Sequence, residues 1–98
     1  MPVYNAADTV LQTLDSLRAQ RFQSLELIVV NDGSTDGSLE ILRRQPDINL
    51  LDHSHRGIVP ALNDGLAAAK GDYIARMDAD DLCHPDRIEQ QASYLDAF

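Results

Sequence analysis

Apolar positions along this 98-residue chain arrive in two rhythms. "LELIVV" (Leu25–Val30) and "INLL" (Ile48–Leu51) are short runs rich in branched side chains, the signature of buried strands. Val10, Leu11, Leu14 and Leu17 recur at helical spacing, and Leu39, Ile41 and Leu42 suit a second helix that ends before Pro46. "MPV" reads as the tail of a strand and "YNAAD" as the turn after it, with Asp8 placed to cap the first helix. Turn-forming residues, "NDGSTDGS", stop the run at Val30 abruptly.

A polar loop, "DHSHRG", leads into "IVPALNDGLAAAKG", a helix stopped by Gly71. "DYIARM", residues 72–77, reads as the last strand. "HPDRIEQQASYLDAF" reads as the last helix, capped at His84 with Pro85 in its first turn. Strands alternate with helices and no internal repeat is present. The order predicts a single α/β domain over residues 1–98, Rossmann-like and doubly wound, with a mainly parallel sheet, flanking helices and right-handed crossovers. Ligands of such sheets gather outside the carboxyl ends of the strands. Those ends carry Tyr4 and Asn5, then Asn31 and Asp32, the His53–Arg56 loop, and Asp78 to Asp81.

Charge narrows the partners. Eight basic residues stand against sixteen acidic ones, a net charge of −8, which argues against nucleic acid or an anionic membrane surface. The single cysteine, Cys83, fits a reducing compartment and reads as a small packed residue. No apolar run approaches the length of a membrane span, and no signal peptide opens the sequence. The expected location is the cytoplasm, with its membrane face as the alternative.

Three carboxylates in four positions, Asp78, Asp80 and Asp81, follow directly on "YIARM". If the backbone stays extended there, Asp78 and Asp80 point one way and Asp81 the other. Two carboxylates at that spacing approach one hard divalent cation, Mg²⁺ or Mn²⁺, which favours oxygen ligands and binds alongside substrate phosphates. Asp81 is then a solvated turn residue. Asp32 is either an acceptor for a ribose or base N–H or a turn residue capping a helix near Thr35, and Asp36 is structural. Tyr4 either stacks on a planar base or packs at a strand end. Arg56 either meets a phosphate or is a surface charge. His53 and His55 belong to the loop, since no further cluster completes a zinc site.

"MPVYN", "ELIVVNDGSTDGS", "GIVPALNDGLAAAKGDYIARMDADD" and "HPDRI", in that order, resemble the nucleotide-binding half of family 2 glycosyltransferases, which have the GT-A fold. The resemblance runs over nearly the whole chain. It implies a nucleoside-diphosphate-sugar donor, of the UDP or dTDP type, and sugar transfer with inversion to a glycan or lipid-linked acceptor hydroxyl in polysaccharide biosynthesis. Pro2 and Tyr4 then contact the base, with Asn5 beside them, and Asp32 recognises the base. Asn31 replaces the first acidic residue of the family's pair. Asp80 binds the metal, Asp78 contacts ribose or metal, and Arg56 is the nearest basic residue to the nucleotide.

An inverting transferase also needs a carboxylate to accept the proton of the incoming hydroxyl. The family places it downstream of this segment, so no catalytic residue is assigned and the chain reads as a truncated, donor-binding half. The alternative is a catalytically silent donor-binding or protein-interaction module. A phosphohydrolase using one aspartate as nucleophile is disfavoured by "NDGSTD", and a dehydrogenase by the absence of a G-x-G-x-x-G. A short first strand leaves a sheet edge open, from which self-association is expected.

Overall fold

The computed structural model describes residues 1–20, 25–71, 73–82, 85 and 87–96, with the last four of these described by backbone alone. Its elements are β1 (Pro2–Val3), α1 (Val10–Arg18), β2 (Leu27–Asp32), α2 (Ser38–Arg43), β3 (Ile48–His53), α3 (Ile58–Ala68) and α4 (Arg87–Asp96). The three strands form one parallel sheet in the order β1-β2-β3, with Val30 standing between Pro2 and Leu51. No helix among the described residues is long and apolar enough to cross a membrane.

β2 carries the core because it is paired along both edges and covered on both faces. Val29 to Asp32 are all buried, without the alternation of a half-exposed strand. Successive side chains serve opposite faces. Val29 joins Val3, Val10, Leu14 and Leu42 beneath α1 and α2. Val30 meets α3 at Gly65, where an added Cβ would sit 3.5 Å from Val30 Cγ2. β3, by contrast, exposes Asn49 and Asp52, as an edge strand should.

α1 buries Val10, Leu14 and Leu17 of the predicted stripe, while Leu11 is exposed and Thr13 is buried instead. Its far end is pinned by Arg18, which donates to both carboxylate oxygens of Asp47 (2.8 and 2.9 Å) and to Asp15 (3.0 Å). Each such part-exposed pair contributes about 0–1 kcal/mol, so the bridge orients the turn before β3 more than it stabilises the domain.

The structure departs from the expected elements in several places. Residues 73–77 form no strand. β1 comprises only Pro2 and Val3. Thr9 rather than Asp8 stands at the cap of α1. α2 begins at Ser38 rather than near Thr35, because Asp36 Oδ1 accepts the Ser38 N–H and keeps the preceding residues in a turn. α3 ends at Ala68, three residues short of Gly71, where Ala69 turns extended and Lys70 N–H bonds to Glu26. Pro85 lies two residues ahead of α4. Cys83 and His84 lie outside the described residues.

Leu14 is fully buried between sheet and helices. Leu14→Ala is expected to lower the unfolding free energy by about 2–5 kcal/mol, as read from urea denaturation.

Candidate functional site

Two turns are laced together at the carboxyl end of the sheet. Asn5, at φ 50°, occupies the left-handed region that asparagine tolerates better than most residues. Its Oδ1 accepts the Thr35 N–H at 2.7 Å, and its own N–H donates to Ser34 Oγ at 3.0 Å. Ala6 N–H donates to Ser38 Oγ, and Ala7 N–H to Asp36 Oδ2. Beneath them, buried Asn31 donates through Nδ2 to Asp52 Oδ1 on β3 (2.9 Å) and accepts the Ser34 hydroxyl (2.7 Å).

Asp32 closes the floor. Its side chain is only 5% exposed, so its charge requires partners. Oδ1 accepts the Arg56 N–H at 2.9 Å and Oδ2 the Gly57 N–H at 3.0 Å. His55 Nδ1 stands 2.9 Å from Oδ2 and His53 Nδ1 3.4 Å from Oδ1. Burial pushes this carboxyl up, but the two backbone donors and the two imidazoles outweigh it and hold Asp32 below the usual carboxylate range. Gly33, at φ 68°, lets the His55 loop close in: a Cβ there would fall 2.4 Å from His55 N. The imidazole of His55 then packs on the Tyr4 ring with centroids 4.2 Å apart.

Opposite lies the acidic segment. The chain does not run extended past Met77. It turns, with the Asp81 N–H donating to Asp78 O at 3.1 Å and the Asp78 N–H to Asp81 Oδ2 at 3.2 Å. Met77 and Ala79 are buried, and their anchoring leaves the aspartates outside. Asp78, Asp80 and Asp81 each offer an oxygen within 4.8 Å of the others. The turn therefore corrects the expectation that Asp81 points away, since all three carboxylates converge. Arg76 Nη2 stands 3.3 Å from Asp78 Oδ1 and offsets part of the local repulsion. An all-oxygen, exposed set of this kind fits a hard divalent cation.

A cleft of about 600 Å³ lies between these groups. It brings Pro2, Tyr4, Asn5, Asp32, Asp78 and Asp80 onto one surface. The Arg56 side chain is not part of it and pairs instead with Asp64 at 2.7 Å, leaving its backbone N–H as the contribution to the site. His55, which the sequence left in the loop, does line the cleft. His53 is half-buried, with its buried Nε2 3.1 Å from Asp64 Oδ2 but not aligned for a hydrogen bond. Asn5 faces the cleft with its side-chain carbonyl already committed to the neighbouring turn. The only signal that could have singled out His55 was its place at a strand's carboxyl end.

A parallel α/β sheet with a polar cleft at its carboxyl end places the chain among the ligand-binding α/β folds, and comparison with solved structures makes this specific: the fold is that of the GT-A glycosyltransferases. The chain belongs to glycosyl transferase family 2, whose sequence profile matches residues 1–98. S. aureus TarS 1–349, in complex with UDP-GlcNAc, is 28% identical with a TM-score of 0.84, over 98% of this chain and 30% of that 1–349 chain. The Pyrobaculum calidifontis mannosyltransferase PcManGT, in complex with GDP-Man and Mn²⁺, is 33% identical with a TM-score of 0.84, over 96% of this chain and 30% of its own. An uncharacterised Escherichia coli (strain K12) glycosyltransferase, YibD, is 40% identical over 93 residues, 91% of this chain and 27% of YibD. The chain spans 10–40% of the length of the curated relatives it matches.

Gly33→Ala is expected to cost more than the roughly 1–2 kcal/mol of a left-handed residue, because the new methyl group meets backbone. ¹H–¹⁵N spectra should show the displacement at His55 to Gly57. Asp32, with its carboxyl held low, adds stability that is complete above about pH 4 and is lost as pH falls through its folded-state pKa. Asp32→Asn should flatten that part of the pH–stability curve, followed by thermal unfolding from pH 7 to pH 3.

Proposed function

We propose that this chain binds a nucleoside-diphosphate sugar together with Mg²⁺ or Mn²⁺ and forms the donor site of an inverting glycosyltransferase. The observation that carries this reading is the meeting, across one cleft, of an exposed aromatic ring with a converging set of carboxylates. Tyr4, steadied by His55, offers a π-face to the base, with Pro2 at its edge and Asn5 shaping the adjoining turn. Asp32 has acceptor capacity left beyond its two backbone donors, and it takes an N–H of the base or a ribose hydroxyl. Asp78 and Asp80 face the diphosphate and hold the ion, with Asp81 closing the turn. When bound there, a divalent ion neutralises the charge that grows on the diphosphate as the sugar leaves.

The nucleotide sugars and the Mn²⁺ named with TarS and PcManGT support the donor class and the metal. The acceptor is a glycan or lipid-linked hydroxyl. No described residue is assigned to take its proton.

Calorimetric titration of UDP and GDP with and without Mn²⁺ tests the reading. Mn²⁺ is expected to tighten nucleotide binding at least roughly tenfold, and Asp80→Ala to erase that gain while sparing the weak metal-free binding. Tight binding indifferent to both metal and substitution would count against a metal-bridged donor.

A further inference from the structure

The carbonyl of Ala79, the residue between Asp78 and Asp80, is held from an unexpected direction. Thr9 Oγ1 and Thr13 Oγ1 each donate to it at 2.9 Å, across 70 and 66 residues of sequence. Thr13 is 1% exposed and Ala79 8%, so their bond is buried, while that of half-buried Thr9 is partly so. Thr9 stands at the cap of α1 and Thr13 four residues on, the spacing that places two side chains on one helix face.

A carbonyl oxygen has two lone pairs, and two hydroxyls occupy both. The peptide joining the aspartates is therefore fixed by its oxygen, which points at α1, while Asp78 and Asp80 line the cleft. The Asp81 N–H closes the same turn on Asp78 O. Helix formation does not call for these threonines, since β-branched residues form helices less readily than alanine or leucine. Burying a hydroxyl is unfavourable unless it finds a partner, and at Thr13 that partner is Ala79.

We propose that Thr9 and Thr13 are positioning residues for the divalent-cation site, an inference that rests on the donor-binding reading above. They act through the Ala79 carbonyl, setting the angle at which Asp78 and Asp80 present their oxygens to Mg²⁺ or Mn²⁺.

The test measures Mn²⁺ binding to the purified protein by electron paramagnetic resonance, with thermal unfolding and metal-free UDP binding measured in parallel. Thr9→Val and Thr13→Val keep the branched shape and remove the hydroxyl. Each is expected to weaken Mn²⁺ binding by about ten- to a hundredfold, the effect typical of groups that orient ligands. Metal-free UDP binding should stay unchanged, and Thr13→Ser should restore the ion. If Thr13→Val does not fold, Thr9→Val, at the half-buried position, decides. Unchanged Mn²⁺ affinity in folded Thr9→Val would overturn the proposal, as would a serine variant as impaired as the valine. Asp80→Ala separates the two readings: if it weakens Mn²⁺ binding and Thr9→Val does not, only the positioning role falls. A wild-type protein that binds no Mn²⁺ overturns both.

Discussion

A buried carboxylate at the end of the central strand organises everything around it. Asp32 leaves water almost completely, and an isolated anion there would be strongly unfavourable. The loop after β3 resolves this by turning two consecutive backbone N–H groups, of Arg56 and Gly57, onto its two oxygens. In doing so the loop is pulled over the sheet, His55 reaches Tyr4, and one wall of the cleft is built. Gly33 is the geometric condition for that approach, because a side chain on it would occupy the space of the His55 backbone.

The acidic turn follows the opposite logic. Its carboxylates stay in water, about half exposed at Asp78, and what is buried is the backbone between them. Met77 packs with Leu17 and Ile88, and Arg87 reaches back to the Arg76 carbonyl and the Met77 sulfur. Helix α4 and helix α1 thus grip the same few residues from two sides. Repulsion among the three aspartates is contained by anchoring the chain, with Arg76 offsetting part of it at Asp78.

Much of the α/β order was legible in the sequence, because it rests on local signals. The unbroken apolar run at Leu27 to Val30, ended by turn formers, suits a strand covered on both faces, and the Val10–Leu17 spacing a helix with one wet side. Tyr4 and Asp32 reach the cleft from strand ends, where topology placed them, whereas Asp78 and Asp80 reach it from a segment that forms no strand. What stayed hidden depends on contacts distant in sequence. Nothing local to "MDADD" announces a turn instead of an extended chain, since the Thr9 and Thr13 hydroxyls that hold it are some seventy residues away. Arg56 shows a similar limit. A sequence reveals its charge, yet its backbone N–H makes the contact with Asp32 while its guanidinium goes to Asp64.

The asparagine in the family's acidic pair has a cause that lies on the next strand. Asn31 faces Asp52 directly in the β2–β3 register, and its amide supplies the proton that bond requires. The other oxygen of Asp52 looks toward Arg43, 3.8 Å away. Positions 31 and 52 are thereby tied across the ladder by one charge-assisted hydrogen bond. An acid at position 31 would set two like charges directly opposite across the ladder, with no proton left to join them.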